Sequence, residues 1–165
     1  MSDSILMAYS TEVATLRAEV QLRTRRFAEF VVAPLARTGI TPNALTVTGL
    51  VLNIVAGVVL ASGEWMIGGA LVLIAGAFDM FDGALARVMN QKTDFGAFLD
   101  STLDRYSEVA VLVGLQIGLL RDDDVAEFRL LGIALGATIL ANSLMISYTR
   151  ARAEGLRLDC EVGWF

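Results

Sequence analysis

Asp79 and Asp82 stand three residues apart, and Asp100 and Asp104 stand four apart. On a helix either spacing puts both carboxylates on one face. If the two helices are neighbours joined by a turn near Asn90 to Thr93, the pairs face each other and four carboxylates converge. Like charges so close need a counter-charge, which a divalent metal supplies. Oxygen donors alone select magnesium, manganese or calcium, and shared carboxylates allow two ions. Gly83 and Ala86 lie on or beside the face of the first pair, and Gly96 one turn before Asp100. Bare backbone there lets a phosphate approach closely, and Arg87 offers a guanidinium for a phosphate oxygen. Together these groups describe a pyrophosphate site.

The elements that must position them are apolar. The chain has 165 residues, is 55% hydrophobic and carries 15 glycines and two prolines; its mean hydropathy of +0.61 is too high for an ordinary soluble domain. It reads as an all-helical, polytopic membrane bundle. With one cysteine, Cys160, and no histidine, it lacks the parts for a zinc site, a disulfide framework or a Cys-His nucleophile. A net charge of −5 offers no basic face, so nucleic acid is excluded as a partner.

Residues 44–63 form an apolar run of the length a membrane helix needs, about 20 residues. Residues 65–78 and 109–120 are shorter and reach that length if their helices continue through the charged stretch between them. Residues 130–146 make a fourth span. Ahead of these, residues 1–38 read as a cytoplasmic or interfacial region built on an amphipathic helix, with the membrane domain over 39–165. It lacks the form of a signal peptide. Asn53, Gln116 and glycines 57, 68, 69, 132 and 136 read as helix-packing positions. Asp94, Glu108 and Asp122 to Asp124 read as solvated caps or salt-bridge partners. With four spans starting inside, eleven of the thirteen Lys and Arg residues fall on one side and only Arg121 and Arg129 on the other. The positive-inside rule then places the N-terminus and the carboxylate site at the cytoplasmic face of the cell membrane.

These residues carry a resemblance. The pattern Asp79-x2-Asp82-Gly83-x2-Ala86-Arg87-x8-Gly96-x3-Asp100-x3-Asp104 resembles the signature of the CDP-alcohol phosphotransferase family, nearest to its phosphatidylinositol-phosphate and archaetidylinositol-phosphate synthase branch. The resemblance implies an integral membrane enzyme of phospholipid synthesis that moves a phosphatidyl-type group from a CDP-linked lipid to an alcohol, releasing CMP. It implies magnesium or manganese, as two ions, on Asp79, Asp82, Asp100 and Asp104, with Asp104 also the base. It implies CDP-lipid contacts at Gly83, Arg87 and Thr93 and at Asn43, Ala44, Leu45 and Thr46 of "TPNALT"; Asp82, Ala86 and Gly96 are assigned to the same set. It also implies six membrane helices where four are expected here, which reads as a chain truncated at its C-terminus.

The expected mechanism is direct displacement on phosphorus, with Asp104 taking the proton of the attacking hydroxyl. Arg150 and Arg152, at the cytoplasmic end of the last span, are candidates for an anion pocket, although topology alone would place basic residues there. An acceptor bearing its own phosphate fits such a pocket: inositol phosphate first, glycerol 3-phosphate second. Membrane lipids and a second copy in a homodimer complete the expected partners. The rival reading is a non-catalytic divalent-cation site or path. It is disfavoured by the apolar outer halves of the spans and by Arg87, which repels cations.

Overall fold

The computed structural model describes Glu19, residues 22–24 and residues 26–158. All regular structure among them is helical. Four long helices follow one another: α1 over Pro42–Ala61, α2 over Trp65–Val88, α3 over Asp94–Arg121 and α4 over Arg129–Gly155. Short 3-10 turns lie at Leu35–Arg37 and Ala126–Phe128. The helix of residues 65–78 does continue through the charged stretch, to Val88. That of residues 109–120 begins at Asp94, well ahead of its apolar part. Three stretches are long and apolar enough to cross a membrane: Pro42–Ala61, Trp65–Val88 and Ala126–Gly155. Met66, Leu73 and Leu130 are at least 79% exposed on them, as lipid-facing side chains would be. α3 has the length, at 28 residues, but the stretch from its start to Glu108 carries Asp94, Asp100, Asp104, Arg105 and Glu108.

Local signals set the helix ends that matter. Thr41 caps α1, its Oγ1 accepting from Ala44 N–H at 3.3 Å, and Pro42 takes the first helical position, where its missing N–H costs nothing. Thr93 caps α3 in the same way, accepting from Gly96 N–H at 2.9 Å. Between α2 and α3 the chain reverses at Asn90, whose φ of 53° is the left-handed conformation asparagine tolerates. Gln91 N–H then reaches back to Ala86 C=O at 2.9 Å and closes α2.

The described chain divides into two compact units, one holding residues up to Thr48 together with Gly76–Asp100, the other Gly49–Ala75 with Ser101 onward. The first has a core of Ala28, Val32, Leu45, Ala84 and Leu85, flanked by Phe78, Phe81 and Met89. Most of the expected interfacial helix lies outside the described residues. In its described part, residues 26–32 are helical: Ala28 and Val32, one turn apart, are buried in this core, whereas Phe27 and Phe30 are 61% and 79% exposed. One face of that segment therefore packs on protein.

The second unit is a helix-packing unit built on glycines. A Cβ on Gly57 would strike the Ala110 carbonyl, and one on Gly114 would strike the backbone of Gly57. Gly118 lies against Leu60 and Trp65, and Gly136 against the Gln116 side chain. Gly68 and Gly132 likewise face leucine side chains, Leu60 and Leu119, while Gly69 faces open space. Gln116 Nε2 donates across to Ile133 C=O at 3.2 Å, whereas Asn53 Nδ2 donates within its own helix to Gly49 C=O. Arg105 Nη1 donates to Glu108 at 2.6 Å and to Ser143 Oγ, which itself donates to Glu108 at 2.6 Å, a closed and neutral triangle. Arg121 donates to the Ala61 carbonyl at 3.2 Å, and Arg129 donates to the carbonyls of Leu119 and Asp122. Both thus satisfy helix-end carbonyls that have no partner in their own helix.

Candidate metal and phosphate site

The first unit brings three of the four expected carboxylates together. Oxygens of Asp79, Asp82 and Asp100 lie within 4.8 Å of one another. Asp79 and Asp82 come from the last turns of α2, three residues apart, and Asp100 from the second turn of α3. Asp104 follows Asp100 by one turn of α3, is half-buried and belongs to the other unit.

Asp82 is the residue out of balance. It is 4% exposed, and its Oδ2 has no hydrogen-bond partner among the described residues. A buried carboxylate oxygen without a partner costs far more than a surface one, and such atoms are rare in folded proteins. A bound cation removes the cost. Three hard oxygens that close, one exposed, one half-buried and one buried, suit magnesium, manganese or calcium. The donor set fits the group that the spacing suggests.

Asp82 and Asp100 also line a pocket of about 290 Å³. That volume lies at the small end of the range for ligand pockets, room for a head group rather than a whole lipid. Its wall is assembled from two helix starts and one helix end. Pro42, Asn43 and Thr46 come from the first turns of α1, Thr93, Gly96 and Ala97 from the start of α3, and Gly83, Ala86 and Arg87 from the end of α2. Helix N-termini point unpaired N–H groups outward and favour anions. The lining thus combines two helix starts and the cations Arg87 and Lys92 with the carboxylates of Asp82 and Asp100, which suits an anion bridged to carboxylates by metal.

The small residues can be told apart by what surrounds them. A Cβ on Gly96 would press on Thr93 Oγ1 at 3.0 Å and meet Asn43 Oδ1 at 3.5 Å, so Gly96 keeps the Thr93 cap and Asn43 in place. A Cβ on Gly83 would meet only Arg87 Nη1, at an ordinary 3.6 Å. Packing does not demand glycine at 83; the space it leaves belongs to the pocket. Arg87 is steadied by Glu29, whose Oε1 accepts from Nε at 3.3 Å in a half-buried pair.

Of the "TPNALT" positions, Asn43 and Thr46 line the pocket, while Leu45 is 6% exposed in the core and Ala44 is exposed. Four lining residues were not anticipated: Pro42, Gln91, Lys92 and Ala97. The only hint of the middle two is their place in the turn between Asn90 and Thr93. Arg150 and Arg152 are exposed near the end of α4, and Arg150 pairs with Glu154 at 3.4 Å.

Residues 39–157 match the CDP-alcohol phosphatidyltransferase family. The archaetidylinositol phosphate synthase of Methanothermobacter thermautotrophicus is 38% identical over 140 residues, 84% of this chain and 65% of that protein. This chain therefore spans somewhat less than two thirds of that relative's length. The crystal structure of Mycobacterium tuberculosis phosphatidylinositol phosphate synthase with CDP-DAG bound superposes with a TM-score of 0.73 at 31% identity, over 85% of this chain and 69% of that one. A second crystal structure of that enzyme, in complex with manganese and citrate, gives 0.72 at 31% identity over 84% and 65%. By sequence and by fold alike, the chain belongs to the CDP-alcohol phosphatidyltransferase family.

Proposed function

We propose that this chain carries the catalytic region of a membrane enzyme that transfers a phosphatidyl-type group from a CDP-linked lipid to inositol phosphate, releasing CMP. The observation that carries the reading is the buried Oδ2 of Asp82, without a partner among the described residues, on a residue that lines a pocket together with two helix N-termini and Arg87. The relatives supply its chemical class. One is named for archaetidylinositol phosphate synthesis, and a solved phosphatidylinositol phosphate synthase has CDP-DAG bound in one crystal structure and is in complex with manganese and citrate in another.

Asp79, Asp82 and Asp100 would hold magnesium or manganese, with Asp104 as the fourth donor and two ions in all. When bound, the cations would neutralise the diphosphate and stabilise charge on the departing CMP. Asn43, Thr46, Gly83, Ala86, Arg87, Thr93 and Gly96 would seat the CDP head, with Ala44 and Leu45 supporting that wall through the α1 backbone. Arg87, steadied by Glu29, would orient a phosphate oxygen. The carboxylate of Asp104 would take the proton of the acceptor hydroxyl as its oxygen bonds to the lipid-bearing phosphorus and the bond from that phosphorus to the CMP oxygen breaks. Arg150 and Arg152 would hold the acceptor's own phosphate; the exposed Arg150–Glu154 pair is weak enough to exchange for it. α3 would be a fourth span, the membrane domain would run over 39–165 behind a cytoplasmic region of 1–38, and the site would open to the cytoplasm. Assembly as a homodimer is part of this reading.

The test is CMP release from CDP-lipid in membranes holding the protein, with magnesium and a panel of alcohols. Release with inositol phosphate, and less with glycerol 3-phosphate, is expected. Release with free inositol or serine but with neither phosphorylated alcohol would remove the acceptor assignment. Asp104→Asn should abolish turnover and spare CDP-lipid binding, so retained turnover would take Asp104 out of the base's role.

A further inference from the structure

Lys92 is the one pocket-lining cation that the reading above leaves unused. It stands on the turn between α2 and α3, brought to the pocket by the left-handed Asn90 and held by the Gln91-to-Ala86 hydrogen bond on one side and the Thr93 cap on the other. Its position is electrostatically unfavourable. Lys92 directly precedes the capping residue of a 28-residue helix, where the macrodipole is positive and a cation is destabilising. Asp94 in the first turn offsets the dipole, yet no carboxylate among the described residues pairs with the Lys92 ammonium. An ammonium at a helix start with no carboxylate partner among the described residues points to an anionic ligand.

The pocket narrows what that ligand is. Its lining holds Asp82, whose Oδ2 has no partner among the described residues and calls for a cation, together with two helix starts, Arg87 and Lys92, which call for an anion. Arg87 is already engaged at Nε by Glu29. We infer that Lys92 is a binding residue for the diphosphate of the CDP-linked donor, its ammonium meeting a phosphate oxygen at the rim while Arg87 meets another from the α2 side. This deepens the transferase reading and rests on it. It also assigns a reason for lysine rather than arginine: a compact point charge on a flexible stem can follow the diphosphate without a planar fork to satisfy.

The experiment measures binding of CDP and of cytidine, which has the same base and sugar but no phosphate, by calorimetry in detergent with manganese. It compares the unaltered chain with Lys92→Met and Lys92→Arg. Lys92 is exposed on a turn, so both variants fold. Lys92→Met should weaken CDP binding about tenfold, leave cytidine binding unchanged and flatten the salt dependence, whereas Lys92→Arg should bind CDP within about threefold of the original. CDP binding by Lys92→Met within twofold of the original, or equal losses for CDP and cytidine, would overturn the Lys92 assignment and leave the transferase reading standing. No CDP binding by the unaltered chain would overturn the transferase reading itself, and the Lys92 assignment with it.

Discussion

At the residue scale the site is a balance of charges that the described residues alone do not close. Asp82 carries the sharpest imbalance, with a buried oxygen that nothing among the described residues satisfies. Function and stability are therefore opposed at this position. Asp82→Asn should raise the melting temperature measured in EDTA, because a neutral amide is cheaper to bury than an unpaired carboxylate. The same variant should lose the rise in melting temperature that manganese gives the original chain, and should lose CMP release by at least about a hundredfold. An original chain whose melting temperature ignores manganese would argue against a metal at these carboxylates. Glu29 makes a second, milder case. Removing its charge with Glu29→Gln loosens Arg87 without removing it. The expected result is a KM for the CDP-lipid raised about threefold with kcat little changed, since a half-buried pair of this kind is worth about 1 kcal/mol. A fall in kcat with an unchanged KM would show that Glu29 acts on the chemistry rather than on seating the donor.

At the scale of elements, two different uses of glycine separate the units. Gly57 and Gly114 let two backbones approach until there is no room for a methyl group, as membrane helices do when small residues rather than water drive their packing. Gly57→Ala or Gly114→Ala should each destabilise the protein by about 1–3 kcal/mol in an unfolding titration in mixed micelles. Gly69→Ala and Gly76→Ala, whose methyl groups would meet nothing within 4 Å, should be neutral or slightly stabilising, as alanine is the better helix former. Equal effects at all four positions would mean that propensity, not close approach, governs these helices. The sequence made the aspartate spacings, the turn at Asn90 and four of the packing glycines legible, because each depends on a local period or on one residue's conformational preference. It hid Ala28 and Val32 in the first unit's core, the Glu29–Arg87 pair and the Arg105–Glu108–Ser143 triangle. Each of these joins segments far apart or fixes a rotation about a helix axis, which hydropathy does not encode. Lys92 was hidden for a related reason. Its place at the pocket rim follows from the φ of Asn90, a property of the turn and not of the lysine.

At the scale of the whole molecule the net charge of −5 conceals an asymmetry. Eleven of thirteen basic residues belong to the stretches that four spans would leave on one side, and the two exceptions, Arg121 and Arg129, have local work. Their guanidinium groups satisfy carbonyls at the ends of α1 and α3, and Arg129 also meets Asp123 at 3.1 Å. They are held by helix-end chemistry that any topology would need, so they do not count against an orientation drawn from the other eleven. The proposed orientation would have a chemical consequence, because the proposed CDP-linked lipid and phosphorylated alcohol would then reach the carboxylates from the cytoplasmic side. It can be tested by accessibility. In a background with Cys160→Ser, a single cysteine at Gln91 would report on the pocket turn and one at Asp124 on the loop before α4; both positions are exposed. In intact cells a membrane-impermeant maleimide should label Asp124→Cys and leave Gln91→Cys untouched until the cells are opened. Adding CDP and manganese to opened cells should then slow labelling of Gln91→Cys, since Gln91 lines the pocket, and not of Asp124→Cys. Labelling of Gln91→Cys in sealed cells would put the site on the outer face. A single donor pocket could not then draw on the cytoplasmic nucleotide-linked lipid, and the proposed substrate would fall with the orientation.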